Sequence, residues 1–155
     1  MPEQRQRRYA ERTTIDPMQT QAEIGKLVER HKATGFIAGW QGAQARVMFE
    51  MRGRRLRFSI TLPPPDDRRF TKSGHIHLSP QQSAGKYEQF KREQWRLLLL
   101  LIKSKLEAIQ NGAAVFEEEM MPYTVMPNGQ TVLEWLGPQL EDRLRNGTMP
   151  PLLPG

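Results

Sequence analysis

The chain has no cysteine. That absence excludes disulfides, thiolate nucleophiles and cysteine-ligated zinc, and it is compatible with an intracellular setting. Long apolar runs are also missing. The longest, "LLLLLI" from Leu97 to Ile102, falls far short of the roughly 20 residues that span a bilayer, so a soluble protein is expected. The opening stretch "MPEQRQRRYAERTT" has no apolar centre, and no secretory leader is expected from it. Nor is there a GxSxG, a glycine-rich phosphate loop or an HExxH, the local patterns of nucleophile elbows, nucleotide sites and zinc hydrolases.

Positive charge is abundant and unevenly spread. At 155 residues with 37% hydrophobic content, the chain is long enough for one domain with a real core. It carries 23 Lys and Arg against 17 Asp and Glu, a net +6. Residues 1–62 contribute +6, residues 63–112 +4 and residues 113–155 −4. A basic body with an acidic C-terminal part points to an anionic partner, of which nucleic acid is the commonest.

The periodicity of the apolar residues sets the expected fold. Residues 1–18 read as a basic arm or an edge strand, with Arg5, Arg7 and Arg8 in it. In "TQAEIGKLVERHKATG", Thr20 and Glu23 have capping-box spacing, and Ile24, Leu27, Val28 and His31 form one helical stripe. Gly35 is expected to end that helix at positive φ. The period then falls to two. Strands are expected at about 36–41, 44–52 and 55–62, with turns at Gly42-Ala43 and Gly53-Arg54. This register pairs Arg52 with Arg55, Glu50 with Arg57 and Phe49 with Phe58. It gathers Phe36, Ala38, Trp40, Val47, Phe49, Met51, Leu56, Phe58 and Ile60 on one face.

Three prolines at residues 63–65 stop the sheet, and residues 63–80 read as a mobile polar loop. A long helix follows from about Ser79 to Asn111, with Ser79, Pro80 and Gln82 as its start and Gly112 past its end. Its leucines wrap nearly all sides, which predicts burial on more than one face. A short acidic helix before Pro122 comes next. A last helix is capped by Thr131 and Glu134 and bent or split at Gly137-Pro138. Residues 147–155 form a Pro-rich tail. The expected fold is a single α+β domain over residues 19–146: a three- to four-stranded antiparallel meander packed on a long central helix, in the order (β)-α-β-β-β-α-α-α.

Enzymatic candidates are weak. His75 and His77 offer two metal ligands where zinc needs three or four, and no cofactor or metal is expected. Glu117–Glu119 would suit Mg²⁺ only with further acids opposite; an acidic first helical turn accounts for them more simply. The binding signal is stronger. Arg46, Arg52, Arg55 and Arg57 are expected on one sheet face against the single acid Glu50, with Arg54 at the hairpin tip. Arg68, Arg69 and Lys72 in the following loop would extend the surface. Guanidinium forks hold phosphates, and no exposed aromatic pair marks base reading.

Two stretches carry a resemblance. "RLLLLLIKSKLEAIQNGAAVFEEEMMPYTVMPNGQTVLEWLGPQL" with "NGTMPPLLPG", and "EIGKLVERHKATGFIAGW" with "FEMRGRRLRFSITLP", resemble a family of small uncharacterised proteins encoded by bacteriophages and prophages. The resemblance implies a bacterial cytoplasm and carries over no catalytic residue. In topology alone, a β-β-β-α unit is similar to the core of single-strand annealing proteins. The expected function is a non-enzymatic nucleic-acid-binding protein, with single-stranded DNA the favoured partner and annealing or strand protection the role. A homo-oligomer and a protein partner at the acidic C-terminal part are further expectations. The alternative is a protein-interaction module such as an inhibitor of a host or defence protein. A small metal-dependent nuclease is the third reading.

Overall fold

The computed structural model of the chain describes residue 10 and residues 12–153. Along the chain run α1 (Pro17–Arg30), β1 (Thr34–Gln41), β2 (Gln44–Met51), β3 (Arg54–Thr61), α2 (Arg68–Thr71), β4 (Lys72–Ser73), β5 (Ile76–His77), α3 (Pro80–Gln110), α4 (Phe116–Met120), a 3₁₀ turn (Met121–Tyr123) and α5 (Val132–Asn146). The α+β class and the long central helix are as expected. Strands β1, β2 and β3 form an antiparallel meander in sequence order, and α1 and α3 pack together beneath it. No helix among the described residues is long and apolar enough to cross a membrane.

The core follows from strand alternation. Ala45, Val47, Phe49 and Met51 of β2 and Leu56 and Phe58 of β3 are buried. They meet Ile24, Leu27 and Val28 of α1 and Trp95, Leu98, Ile102 and Leu106 of α3. Fully burying side chains of this size contributes about 1.5–3 kcal/mol each. Trp40, expected inside, lies at the rim with its ring edge-on to Trp95. Gly25 sits in mid-helix because a Cβ there would come within 2.9 Å of the Phe36 ring.

The second hairpin corrects the expected register. The turn is Arg52-Gly53 rather than Gly53-Arg54, and β2 pairs Met51 with Arg54, Glu50 with Arg55, Phe49 with Leu56 and Val47 with Phe58. Both turn residues take positive φ, 51° and 75°. That is the type I′ geometry that matches strand twist, with glycine second. Moving the turn by one residue changes each pairing by two, so every side chain keeps its face. The first hairpin turns at Gly42-Ala43 and pairs Trp40 with Ala45 as expected.

Helix ends account for further differences. α1 starts at Pro17, capped by the Asp16 side chain, so Thr20 lies inside the helix and is buried. It ends before Gly35. The Lys32 N–H donates to the Glu29 carbonyl and the Ala33 N–H to the Val28 carbonyl, a Schellman motif whose left-handed position is Lys32, φ 68°. α3 ends in the same motif with Gly112 at that position. Its start is the expected capping box of Ser79 and Gln82, and Gly85 does not interrupt it.

Residues 63–80 hold more local structure than expected. Asp67 caps α2, and β4 pairs with β5. Phe70 is buried edge-on to Tyr87 and Phe90 of α3, which ties the segment down. The expected arm and edge strand lie largely outside the described residues; residues 12–16 form no strand. β3 instead gains a partial neighbour, as the Val125 N–H donates to the Arg55 carbonyl. α5 is continuous through Pro138, which is exposed and leaves the Glu134 carbonyl without its i+4 helical donor. The expected cover over the outer leucines of α3 is absent among the described residues: α1, at 14 residues, flanks a 31-residue helix and leaves Leu97, Leu100 and Leu101 outward.

Candidate nucleic-acid interface

The arginines of the meander part company in space. Arg46, Arg55 and Arg57 do share the outer sheet face. Arg46 is held by the side chains of Gln41 and Gln44. Arg55 pairs with its cross-strand neighbour Glu50 at 3.0 Å, the role expected of Arg57. Arg57 instead reaches α5, bonding Glu134 at 2.7 Å and the Gly129 carbonyl, and its side chain is only 11% exposed. The Thr131 N–H and this guanidinium hold the Glu134 carboxyl below the usual glutamate range, against the opposing effect of burial; Arg46 adds to the lowering. The outer face therefore sets three arginines against two carboxylates, not four against one.

Arg52 and Arg54 belong elsewhere. Arg52 occupies the turn, and Arg54 opens β3 on the side of the core. Their guanidinium carbons lie 4.7 Å and 5.8 Å from the centroid of the buried Phe116 ring. A guanidinium stacked on a ring is pre-positioned and keeps N–H groups free for an anion. Arg68, Arg69 and Lys72 do not join them. They belong to the segment that Phe70 ties to Tyr87 and Phe90, with Arg69 over the Phe70 and Phe90 rings, whereas Arg52 lies toward Leu106. Sixteen residues of α3 between Phe90 and Leu106 span about 24 Å. Arg69 is also engaged by Asp67, whose carboxyl is lowered first by the Arg69 N–H.

The structure supplies different companions for Arg52. A cleft of about 360 Å³ lies between the end of α1, the hairpin tip and the end of α3, lined by Arg30, His31, Lys32, Met51, Arg52, Leu106, Ile109, Gln110 and Phe116. No carboxylate among the described residues lines it. Arg30 also lines a second groove of about 400 Å³ between α1 and α3, with Lys26, Arg96, Lys103 and Glu23 on its walls. Glu23 is paired with Arg96 at 2.9 Å. The two hollows share Arg30 and, among the described residues, form one band of six cations against one neutralised acid. Lys26, Arg30, Lys32 and Lys103 have no carboxylate partner among the described residues.

Two strained backbone positions fall in the same place. Among the described residues, the non-glycine positions at positive φ are Ala10, Lys32 and Arg52. A left-handed side-chain-bearing residue costs roughly 1–2 kcal/mol. Glycine serves at the equivalent point after α3. At the cleft, cations stand where glycine or asparagine would be more stable. Arg30 in the last turn of α1 also complements the helix dipole, but that does not explain Arg52.

The other candidates gather no site. His75, just before β5, and His77, within it, are exposed, and Glu119 is engaged by Lys105. No three His, Asp or Glu side chains converge as metal ligands among the described residues. Sequence reasoning missed Lys26, Arg30, Lys32, Arg96 and Lys103, because their grouping requires α1 to meet α3 across some seventy positions of chain, as in Arg96–Glu23. The basic last turn of α1 was the one local signal. Compared with models of protein families, with curated proteins and with solved structures, the chain matches none.

Proposed function

We propose that the chain binds a nucleic-acid strand through its phosphates, along the band that runs from Arg96 and Lys103 past Lys26 and Arg30 to Lys32 and Arg52. The observation that carries this reading is the cleft at the hairpin tip, where two strained cations, Lys32 and Arg52, converge with Arg30 and no carboxylate. Strain of this kind concentrates at functional sites. A narrow concave track suits a flexible single strand better than a rigid duplex, and phosphate contacts without base-stacking aromatics imply little sequence preference. In the phage setting that the resemblance implies, annealing or protecting single strands is the role. Arg46, Arg55 and Arg57 move from the contact surface to the fold's own support.

Fluorescence anisotropy with labelled single- and double-stranded DNA across a salt series tests this. Single-strand contacts each contribute roughly 0.7 to the log–log salt slope, so six cations give a slope near −4 and the Lys26/Arg30/Arg52→Ala variant about −2. No binding at low salt, or an unchanged slope in that variant, sinks the proposal.

A further inference from the structure

Among the described residues, the meander has one open edge. β1 pairs with β2 alone, whereas the opposite edge, on β3, is partly taken by Val125. Gln41 and Gln44 flank a two-residue turn and so form a hydrogen-bonded pair; by alternation, so do Gly39 with Arg46 and Ile37 with Met48. The backbone groups of Phe36, Ala38 and Trp40 therefore point out of the sheet, and no described residue bonds them. Edge strands are ordinarily guarded by charge, by proline or by being very short. β1 has eight residues, TGFIAGWQ, with neither charge nor proline, and Ile37 is 68% and Trp40 44% exposed. Its one irregularity, at Gly35, precedes the open stretch.

We infer that β1 pairs antiparallel with β1 of a second copy of this chain, about a two-fold axis at Ala38. The free backbone groups select both the partner and the register. An axis at Ala38 exchanges Phe36 with Trp40 and returns Ala38 to itself. No other position maps these three residues onto one another, and together they give about six backbone hydrogen bonds. The same axis sets Ile37 opposite Gly39 of the mate on the outer face. There glycine leaves room, since a Cβ on Gly39 would meet nothing within 4 Å. On the helix side it sets Phe36 beside Trp40 of the mate, a favourable cross-strand aromatic pair. Charge fits a like partner. The chain is +6, yet none of that charge lies on β1. The hollow between α1 and the start of β1 carries one base and one acid, Lys26 and Glu29, which sets no excess of one sign against the mate. A strongly charged foreign strand finds no counter-charge on this edge. The contact is isologous and closed, so it stops at a dimer in which the sheet of each copy continues into the other. It does not rest on nucleic-acid binding.

Light scattering of the full-length protein without nucleic acid, over a concentration series at low and high salt, reads this directly. The average mass is expected to rise from monomer to dimer, to stop there, and not to fall as salt is raised. Ile37→Lys and Ile37→Glu each set like charges diagonally across the axis, about 7–8 Å apart, and each should weaken the dimer severalfold. Mixed, the two should form a one-to-one dimer tighter than either alone, because opposite charges then meet. That recovery also shows that both are folded. Ala38→Pro removes an N–H that faces out of the sheet and should leave a monomer with the circular dichroism of the wild type. A wild type that is monomeric at every concentration overturns the inference and leaves the edge to a different strand. Growth beyond a dimer, an Ala38→Pro variant that dimerises as the wild type does, or a mixture no tighter than its components overturns it as well.

Discussion

The outer sheet face and the α1–α3 groove are both built from arginine and lysine, yet they differ in what surrounds each charge. On the sheet, period-two alternation brings Arg46, Arg55 and Arg57 together. There the hairpin partner Glu50 and the incoming Glu134 neutralise two of them, and glutamines hold the third. In the groove and the cleft that continues it, α1, α3 and the hairpin turn contribute cations, and the one acid among the described residues on the walls is already paired. Charge counted along a strand is therefore a poor guide to charge in space. A carboxylate nearly eighty residues away, Glu134, changes the balance.

The contrast is broken most forcefully by exchanging roles. Arg57→Ala should cost about 2 kcal/mol of stability, since it strands the Glu134 carboxylate and an α5 anchor, while leaving strand affinity within twofold. Chemical denaturation and anisotropy together check this; a stable variant that binds poorly would return Arg57 to the contact surface.

Next comes pH. Glu134 titrates below its unfolded value of about 4.3, so its contribution is complete above that value and is lost as pH falls through the lowered one. The gap in thermal midpoint between wild type and Glu134→Gln should hold steady at neutral pH and narrow in acid. A gap that does not change with pH counts against the Arg57–Glu134 ion pair, since glutamine can keep the capping box as Gln82 does at the start of α3.

A smaller effect sharpens the contrast. Lys32→Gly and Arg52→Asn should each raise stability by roughly 0.5–1 kcal/mol, because each residue then suits a left-handed backbone. Each should also weaken strand binding severalfold. Stabilisation with undiminished binding would show that the strain serves no anion. The smallest effect belongs to Arg46→Ala with Arg55→Ala: exposed pairs contribute little, so neither stability nor affinity should move by more than about twofold in equilibrium constant.

Much of the fold was legible because its signals are local. The capping boxes at Ser79 and Thr131, the alternation of β2 and β3 and the stripe of α3 each lie within a few residues of chain. The hairpin shows where such reading slips. Alternation specifies the face but tolerates a two-residue change of partner, and only the rule that glycine takes the second place of a type I′ turn selects Arg52-Gly53. Phe70 was hidden because one buried ring in a polar segment leaves no period. The site was the least legible part. Lys26, Arg30 and Lys103 look like solvated helix charges until α1 is laid against α3.

α5 also bears on the helix–coil balance. A fifteen-residue helix that includes a proline is marginal on its own in water, and its capping box supports only the first turn. Its later turns, from Leu140 to Asn146, are therefore expected to exchange their amide hydrogens faster than the capped first turn and far faster than the buried middle of α3.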